Sequence, residues 1–323
     1  MTLLNVEDLK VHFPVYGGVF YRQQATIHAV DGVDLSVQPA KTLGLVGESG
    51  CGKSTIGRAL LRLHDATAGR IVFDGKDITH MRGHQMRELR EHMQMIFQDP
   101  YESLNPRHTV GDILQEPFII HNIANPSERR QKVLQLLDRV GMPSDAIHKY
   151  PHEFSGGQRQ RIGIARSIAL RPKLIICDEP VSALDVSIQS QILNLLIELQ
   201  QEMGMAYLFI AHDLSVIKHV SDQIAVMYLG RIVEMADSET LYQKPMHPYT
   251  CALINAIPVP DPKQKKAFIS LSGEVPSPMN PPPHCHFVDR CAYAQKRCRE
   301  ETPQLQAVSD ADPEHLVACH FPL

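Results

Sequence analysis

The 323-residue chain has no tryptophan, and tyrosine and phenylalanine together make up 6% of it. With so few aromatics, any that lie near a candidate site are worth following individually. No run approaches the 18 apolar residues that a membrane-spanning helix needs, so a membrane role has to come through partners. There is no excess of one charge either. The 32 Lys and Arg against 36 Asp and Glu leave a net −4, which excludes both a basic nucleic-acid binder and a disordered, highly charged chain. Met1 to Phe13 has no basic segment and carries Glu7 and Asp8, so an export signal is not expected. Sustained heptads and repeats at solenoid periods are also missing.

What is present begins with length, which sets a prior of about two domains at roughly 150 residues each. Cysteine is unevenly placed: Cys51, Cys177 and Cys251 are scattered, whereas Cys285, Cys291, Cys298 and Cys319 crowd into the C-terminal stretch. In a reducing compartment such a crowd more often ligates metal than forms disulfides. Its spacing, Cys-x5-Cys-x6-Cys-x20-Cys, lacks the two-residue intervals of common zinc ribbons. Four thiolates suit zinc or a 4Fe-4S cluster, and His284, His286 and His320 stand close enough in sequence to substitute as zinc ligands.

Short apolar runs, Thr42 to Val46, Met95 to Phe97, Leu174 to Cys177 and Tyr207 to Ala211, alternate with longer helical patterns, the rhythm of buried parallel strands in an α/β fold. Asn125 to Val140 predicts a helix: Asn125 caps, Pro126 takes the first position, Glu128 the third, and Gly141 ends it. Ser187 to Met203 predicts another, with Ile192, Leu196, Leu199 and Met203 about one turn apart. From Pro245 to Pro283, prolines including Pro258, Pro260, Pro262, Pro276 and Pro278 disfavour long helices and predict a linker into a small cysteine-bearing appendage.

The chemistry starts at Gly47-Glu48-Ser49-Gly50-Cys51-Gly52-Lys53-Ser54, followed by Thr55. This is a P-loop directly after a strand. Its glycines let successive N–H groups face phosphate oxygens, Lys53 reaches the β/γ-phosphates and Ser54 ligates magnesium. The strand Leu174 to Cys177 ends in Asp178-Glu179, which fits a Walker B pair: Asp178 for magnesium, Glu179 to orient or deprotonate the attacking water. Phe154-Ser155-Gly156-Gly157-Gln158 precedes a helical stretch, Arg159 to Leu170, and is built like a second anion site, which a single nucleotide does not need.

At these residues the sequence resembles the ABC ATPases, whose signature loop closes over a nucleotide on the opposite subunit of a head-to-tail dimer. Gln98, Ser182-Ala183-Leu184-Asp185 and His212 follow in family order. The resemblance implies that Gln98 contacts magnesium and water, His212 the γ-phosphate, and Asp185 the dimer partner, while Ser155, Gly156, Gly157 and Gln158 serve the partner's ATP. Adenine is expected to stack on an aromatic before the P-loop. Phe13, Tyr16, Phe20 and Tyr21 compete, with Phe13 aligning best and an insertion from Pro14 to Ile27 intervening.

Tyr101 to Arg107, His247-Pro248-Tyr249-Thr250 and Leu271 to Pro278 look like the second, F-type ATPase subunits of oligopeptide and dipeptide importers. That likeness implies a P-loop (RecA-like) ABC core at 1–98 and 168–245, with an N-terminal antiparallel β part and a helical subdomain at about 99–167. A C-terminal domain then spans 246–323, with Cys285, Cys291, Cys298 and Cys319 on a 4Fe-4S cluster and zinc as the alternative. It also implies ATP and Mg²⁺ as ligands, and as partners a second ATPase subunit, two permeases and an extracytoplasmic peptide-binding protein, with a peripheral place at the cytoplasmic face of the inner membrane. Relatives of this kind carry peptides, murein peptides, nickel, glutathione or haem. A non-transport ABC ATPase is the competing class; the short interval between Ser54 and Ser155 leaves no room for the long coiled coil of the chromosome-maintenance type.

Overall fold

The computed structural model describes residues 2–257, 273–309 and 311–323. Pro258, Pro260 and Pro262, together with Leu271 and Ser272, lie outside the described residues. In chain order the elements are β1 (Leu4–Gly17), β2 (Arg22–Val37), β3 (Thr42–Val46), α1 (Lys53–Leu60), β4 (Ala68–Phe73), β5 (Lys76–Asp77), α2 (Gly83–Leu89) and β6 (Met93–Ile96). Next come α3 (Pro100–Ser103), α4 (Val110–Ile120), α5 (Pro126–Arg139), α6 (Gly156–Ile168), β7 (Leu174–Asp178), α7 (Val186–Met203), β8 (Ala206–Ala211) and α8 (Leu214–Val220). The last are β9 (Gln223–Tyr228), β10 (Arg231–Asp237), α9 (Ser238–Gln243), α10 (Pro248–Asn255), β11 (Gln306–Ser309) and β12 (Asp312–Val317).

The described chain forms two compact units. One comprises residues 37–41 and 80–210, the other residues 2–36, 42–79 and 211–323. The first holds a parallel set, β6 beside β7 and β7 beside β8, with Cys177 opposite both Ile96 and Phe209. Every residue of β7 and β8 is buried, which is why these strands read in the sequence as unbroken apolar runs rather than as alternating ones. Helices α4, α5 and α6 pack together, α5 giving Val133, Leu136 and Leu137 to their shared core. Full burial of side chains of this size stabilises the fold by roughly 1.5–3 kcal/mol each.

The capping predicted for α5 is present in full. The Asn125 side chain accepts from the Glu128 amide, and Glu128 accepts from the Asn125 amide, both at 3.0 Å. Gly141 then ends the helix at φ 67°, and Arg161 from α6 donates to the Val140 carbonyl at 2.7 Å.

The second unit holds an antiparallel sheet in the order β2-β1-β4-β5 and a run β11-β12-β10-β9-β3. In that run β3 is parallel to β9, and β9, β10, β12 and β11 are antiparallel to their neighbours. The expected insertion from Pro14 to Ile27 is largely continuous strand, since β1 and β2 extend through it to a turn at residues 18–21. The C-terminal region is also better fastened than a linker and appendage imply. β12 pairs with β10, and buried Glu234 of β10 accepts from the Met246 and His247 amides at 2.7 and 2.9 Å and bonds His315 of β12 at 2.8 Å. Inside the proline-rich stretch, α10 forms because His247 caps it and Pro248 occupies the first turn, where a missing N–H costs nothing.

Candidate functional site

The phosphate loop leaves β3 and runs into α1. Gly50 and Gly52 sit at φ 81° and 107°, in the left-handed region that glycine tolerates. A Cβ on Gly47 would stand 2.1 Å from the Met227 carbonyl oxygen, and one on Gly52 would stand 2.0 Å from that of Ala29. Neither position can carry a side chain unless the backbone moves. Lys53 is 4% exposed and donates to the Gly47 and Glu48 carbonyls at 2.7 and 3.0 Å. Cys51 is buried, and its thiol is pushed up by burial, with Lys53 opposing. The loop's outer residue, Glu48, is held twice: its amide donates to the Tyr249 hydroxyl at 2.9 Å, and its carboxylate receives both terminal nitrogens of Arg290. Sequence reasoning singled out the His247-to-Thr250 motif and the cysteines but missed this hold, because 201 and 242 residues separate the partners.

In the other unit, β7 delivers Asp178 buried at its end, and Glu179 follows with φ 46°. A left-handed glutamate is strained backbone of the kind that clusters at functional sites. The Gln98 side-chain amide donates to Glu179 at 3.2 Å, so the structure brings together these two candidates, which lie 81 residues apart. Ser155 caps α6 in a reciprocal box. Its hydroxyl accepts from the Gln158 amide at 3.4 Å, and Gln158 Oε1 accepts from the Ser155 amide at 3.0 Å. The helix therefore begins at Gly156, earlier than the predicted Arg159. Ser155, Gln158 and Asp185 are exposed, as are Gln98 and, in the other unit, His212. The segment after Gln98 is tied to the same helix: the Arg159 guanidinium lies 3.7 Å above the Tyr101 ring, and Arg166 donates to the Ser103 carbonyl at 2.6 Å.

Among the four aromatic candidates, Phe13 is half-buried and packs edge-on to His64 with ring centres 5.4 Å apart. Tyr16 and Tyr21 stack on each other at 5.3 Å, and Phe20 is 81% exposed. Beside Phe13, His12 and His28 stack at 3.9 Å and both meet Asp31 Oδ1, at 3.0 and 3.3 Å. Burial would raise the Asp31 carboxyl, but hydrogen bonds and charge from Arg231, with help from the histidines, bring it down to about 2. Among the described residues, this trio is the group of His, Cys, Asp or Glu ligand atoms lying within 4.8 Å of one another. The Arg231 guanidinium already balances its carboxylate, at 2.7 Å.

Cys285, Cys291, Cys298 and Cys319 line one small cavity with Phe287 and His320, and none is in a disulfide. A backbone bond of 3.2 Å from the Cys285 amide to the Cys298 carbonyl draws the two segments together. Burial pushes the Cys285 thiol up to about 11, with the other three cysteines adding to the rise. The neighbouring histidines are partly engaged: His284 bonds the Cys285 carbonyl at 3.2 Å and His320 that of Glu301 at 3.1 Å.

A chain with a phosphate loop and a second glycine-bearing helix start has one more such element than a lone mononucleotide uses. The class built around that surplus is the ATP-binding cassette ATPase. Residues 30–182 match the family described as ABC transporter, and residues 233–298 match the one described as oligopeptide/dipeptide transporter, C-terminal region. The oligopeptide transport ATP-binding proteins AppF of Bacillus subtilis and OppF of Escherichia coli are 51% and 50% identical over 323 residues, covering 99% and 98% of this chain and 97% and 96% of theirs. The di/tripeptide transport ATP-binding protein DppF of Pseudomonas aeruginosa is 47% identical over 319 residues, covering 99% of this chain and 97% of its own length. Among solved structures, the dimeric cassette MJ0796 bound to ADP and Pi shares the fold, with TM-score 0.65 at 24% identity over 73% of this chain and 98% of its own. CbiO1 from Clostridium perfringens gives 0.63 at 29% identity over 75% and 91%. The chain belongs to the ATP-binding subunits of oligopeptide/dipeptide ABC transporters, and it is an ATPase whose hydrolysis is coupled to transport.

Proposed function

We propose that this subunit energises the import of dipeptides and oligopeptides, working beside a second ATPase subunit, two permeases and an extracytoplasmic binding protein, from the cytoplasmic face of the inner membrane. The observation that carries the reading is full-length identity near 50% to peptide-transport ATPases, extending through the C-terminal region. No helix among the described residues is long and apolar enough to cross a membrane, which fits a subunit attached through permeases. Lys53 and the amides of the Gly47–Thr55 loop hold the phosphates, with Phe13 as the adenine platform. Ser54, Gln98 and Asp178 attend magnesium. Glu179 orients the attacking water and His212 the γ-phosphate, so that turnover rests on positioning and charge neutralisation. Ser155, Gly156, Gly157 and Gln158 close on the partner's ATP, with Asp185 signalling between subunits. Force leaves through the exposed Tyr101 face, which Arg159 and Arg166 tie to the signature helix.

The tail cysteines hold a 4Fe-4S cluster in this reading. The four residues line one cavity, yet no three of their sulfurs lie within 4.8 Å of one another. Tetrahedral zinc, with bonds of about 2.3 Å to each sulfur, needs them closer than that. Bound there, the cluster would supply a cross-link of the tail's three segments rather than chemistry on ATP.

The test is reconstitution with the permeases and binding protein in vesicles. ATP-dependent peptide uptake, with iron and sulfide bound to anaerobically purified chain, is the expected outcome. Failure to assemble with any permease would sink the transport reading, and stoichiometric zinc in a colourless protein would sink the cluster.

A further inference from the structure

Glu48 places a carboxylate on the second residue of the phosphate loop, where charge alone opposes the arrival of a triphosphate. Arg290 meets it. Its two terminal nitrogens donate to the two carboxylate oxygens at 2.6 and 3.0 Å, the paired geometry that arginine forms and lysine does not. One of them also donates to the Tyr228 hydroxyl at 3.5 Å. The arginine side chain is 6% exposed and the glutamate's 25%, so the pair is screened less than a surface salt bridge.

Arg290 belongs to the tail. It ends a single helical turn, Val288–Arg290, that lies between Cys285 and Cys291. That turn is fastened at both sides: the Val288 amide donates to the Cys285 carbonyl at 3.2 Å, and the Arg290 amide to that of Phe287 at 3.0 Å. The Phe287 ring packs on Tyr228 and Tyr249 with centres 5.2 and 5.4 Å away, and Tyr249 is the acceptor of the Glu48 amide. The same few residues thus hold the loop's outer corner by its backbone and by its charge.

We propose that Arg290 is a positioning residue of the ATP site: it neutralises Glu48, and so makes the loop's affinity for triphosphate depend on how the four-cysteine tail is seated. This rests on ATP occupying the Gly47–Thr55 loop, which Lys53→Ala tests separately, since unchanged ATP binding in that variant would refute the loop assignment itself.

The deciding experiment is equilibrium binding of Mg-ATP to the full-length chain. Arg290→Ala raises the Kd about tenfold, the effect of one uncompensated charge near the phosphates. Arg290→Lys recovers part of the loss. Glu48→Gln binds at least as tightly as the parent, and Glu48→Gln with Arg290→Ala returns to within about threefold of it, because the charge that Arg290 answers is gone. Cys298→Ser, which removes one thiolate of the proposed cluster and so a tie of the tail, weakens ATP binding in the parent but much less beside Glu48→Gln. If Arg290 merely kept the tail folded, the second substitution would restore nothing. A double variant as weak as Arg290→Ala, an Arg290→Ala chain that binds like the parent, or equal losses from Cys298→Ser in both backgrounds would overturn the proposal.

Discussion

The phosphate loop and the helix start at Ser155 both set glycines at a helix N-terminus, and they are finished in opposite ways. The loop is fastened at several points: Gly47 and Gly52 lie against carbonyl oxygens, Lys53 is buried among the loop's own carbonyls, and Tyr249 and Arg290 pin Glu48. At the signature, Ser155 and Gln158 cap each other and remain exposed. The first site is completed within its own chain. The second satisfies its backbone locally and leaves its polar face outward, the arrangement that the proposed closure on another subunit's ATP calls for.

The sharpest way to break that comparison is at the chemistry. Glu179→Gln lowers turnover of the assembled transporter by about 10²- to 10⁴-fold, the usual worth of a general base, while the chain still binds ATP; steady-state hydrolysis alongside nucleotide binding reads both. Next in size is Gly52→Ala. The new methyl meets the Ala29 carbonyl in a backbone conformation at φ 107°. At a cost of about 3 kcal/mol or more, ATP affinity falls by roughly a hundredfold, and a calorimetric titration checks it. The smallest effect belongs to Ser155→Ala, which removes one hydrogen bond toward a charged phosphate, about tenfold in the turnover of the pair. ATP binding by the single chain is retained. An equal loss in the isolated chain would erase the contrast between a self-contained site and a shared one.

Much of this was legible from local pattern. β3 runs Thr42–Val46 as the apolar run indicated, and α5 carries the predicted caps because Asn125, Pro126, Glu128 and Gly141 each act within a few residues. Gln98 and Glu179 were each legible as candidates, but their pairing was not, since nothing in either segment points to the other. The long β1 and β2 ribbon was hidden by Pro14, the Gly17-Gly18 pair and the polar run Arg22-Gln23-Gln24, which break any alternation. The tail's hold on Glu48 was hidden for another reason: an ion pair closed over 242 residues leaves no periodicity to read.

Glu179 stands in a left-handed backbone conformation. At φ 46° the backbone there suits glycine or asparagine, and a glutamate in that conformation costs on the order of 1–2 kcal/mol. In the proposed mechanism the chain therefore keeps a less comfortable residue at the point where its reaction is driven. Replacement by glycine would relieve the backbone and remove the carboxylate in one step, so selection for thermal robustness alone would drift toward a steadier subunit that holds its nucleotide without spending it.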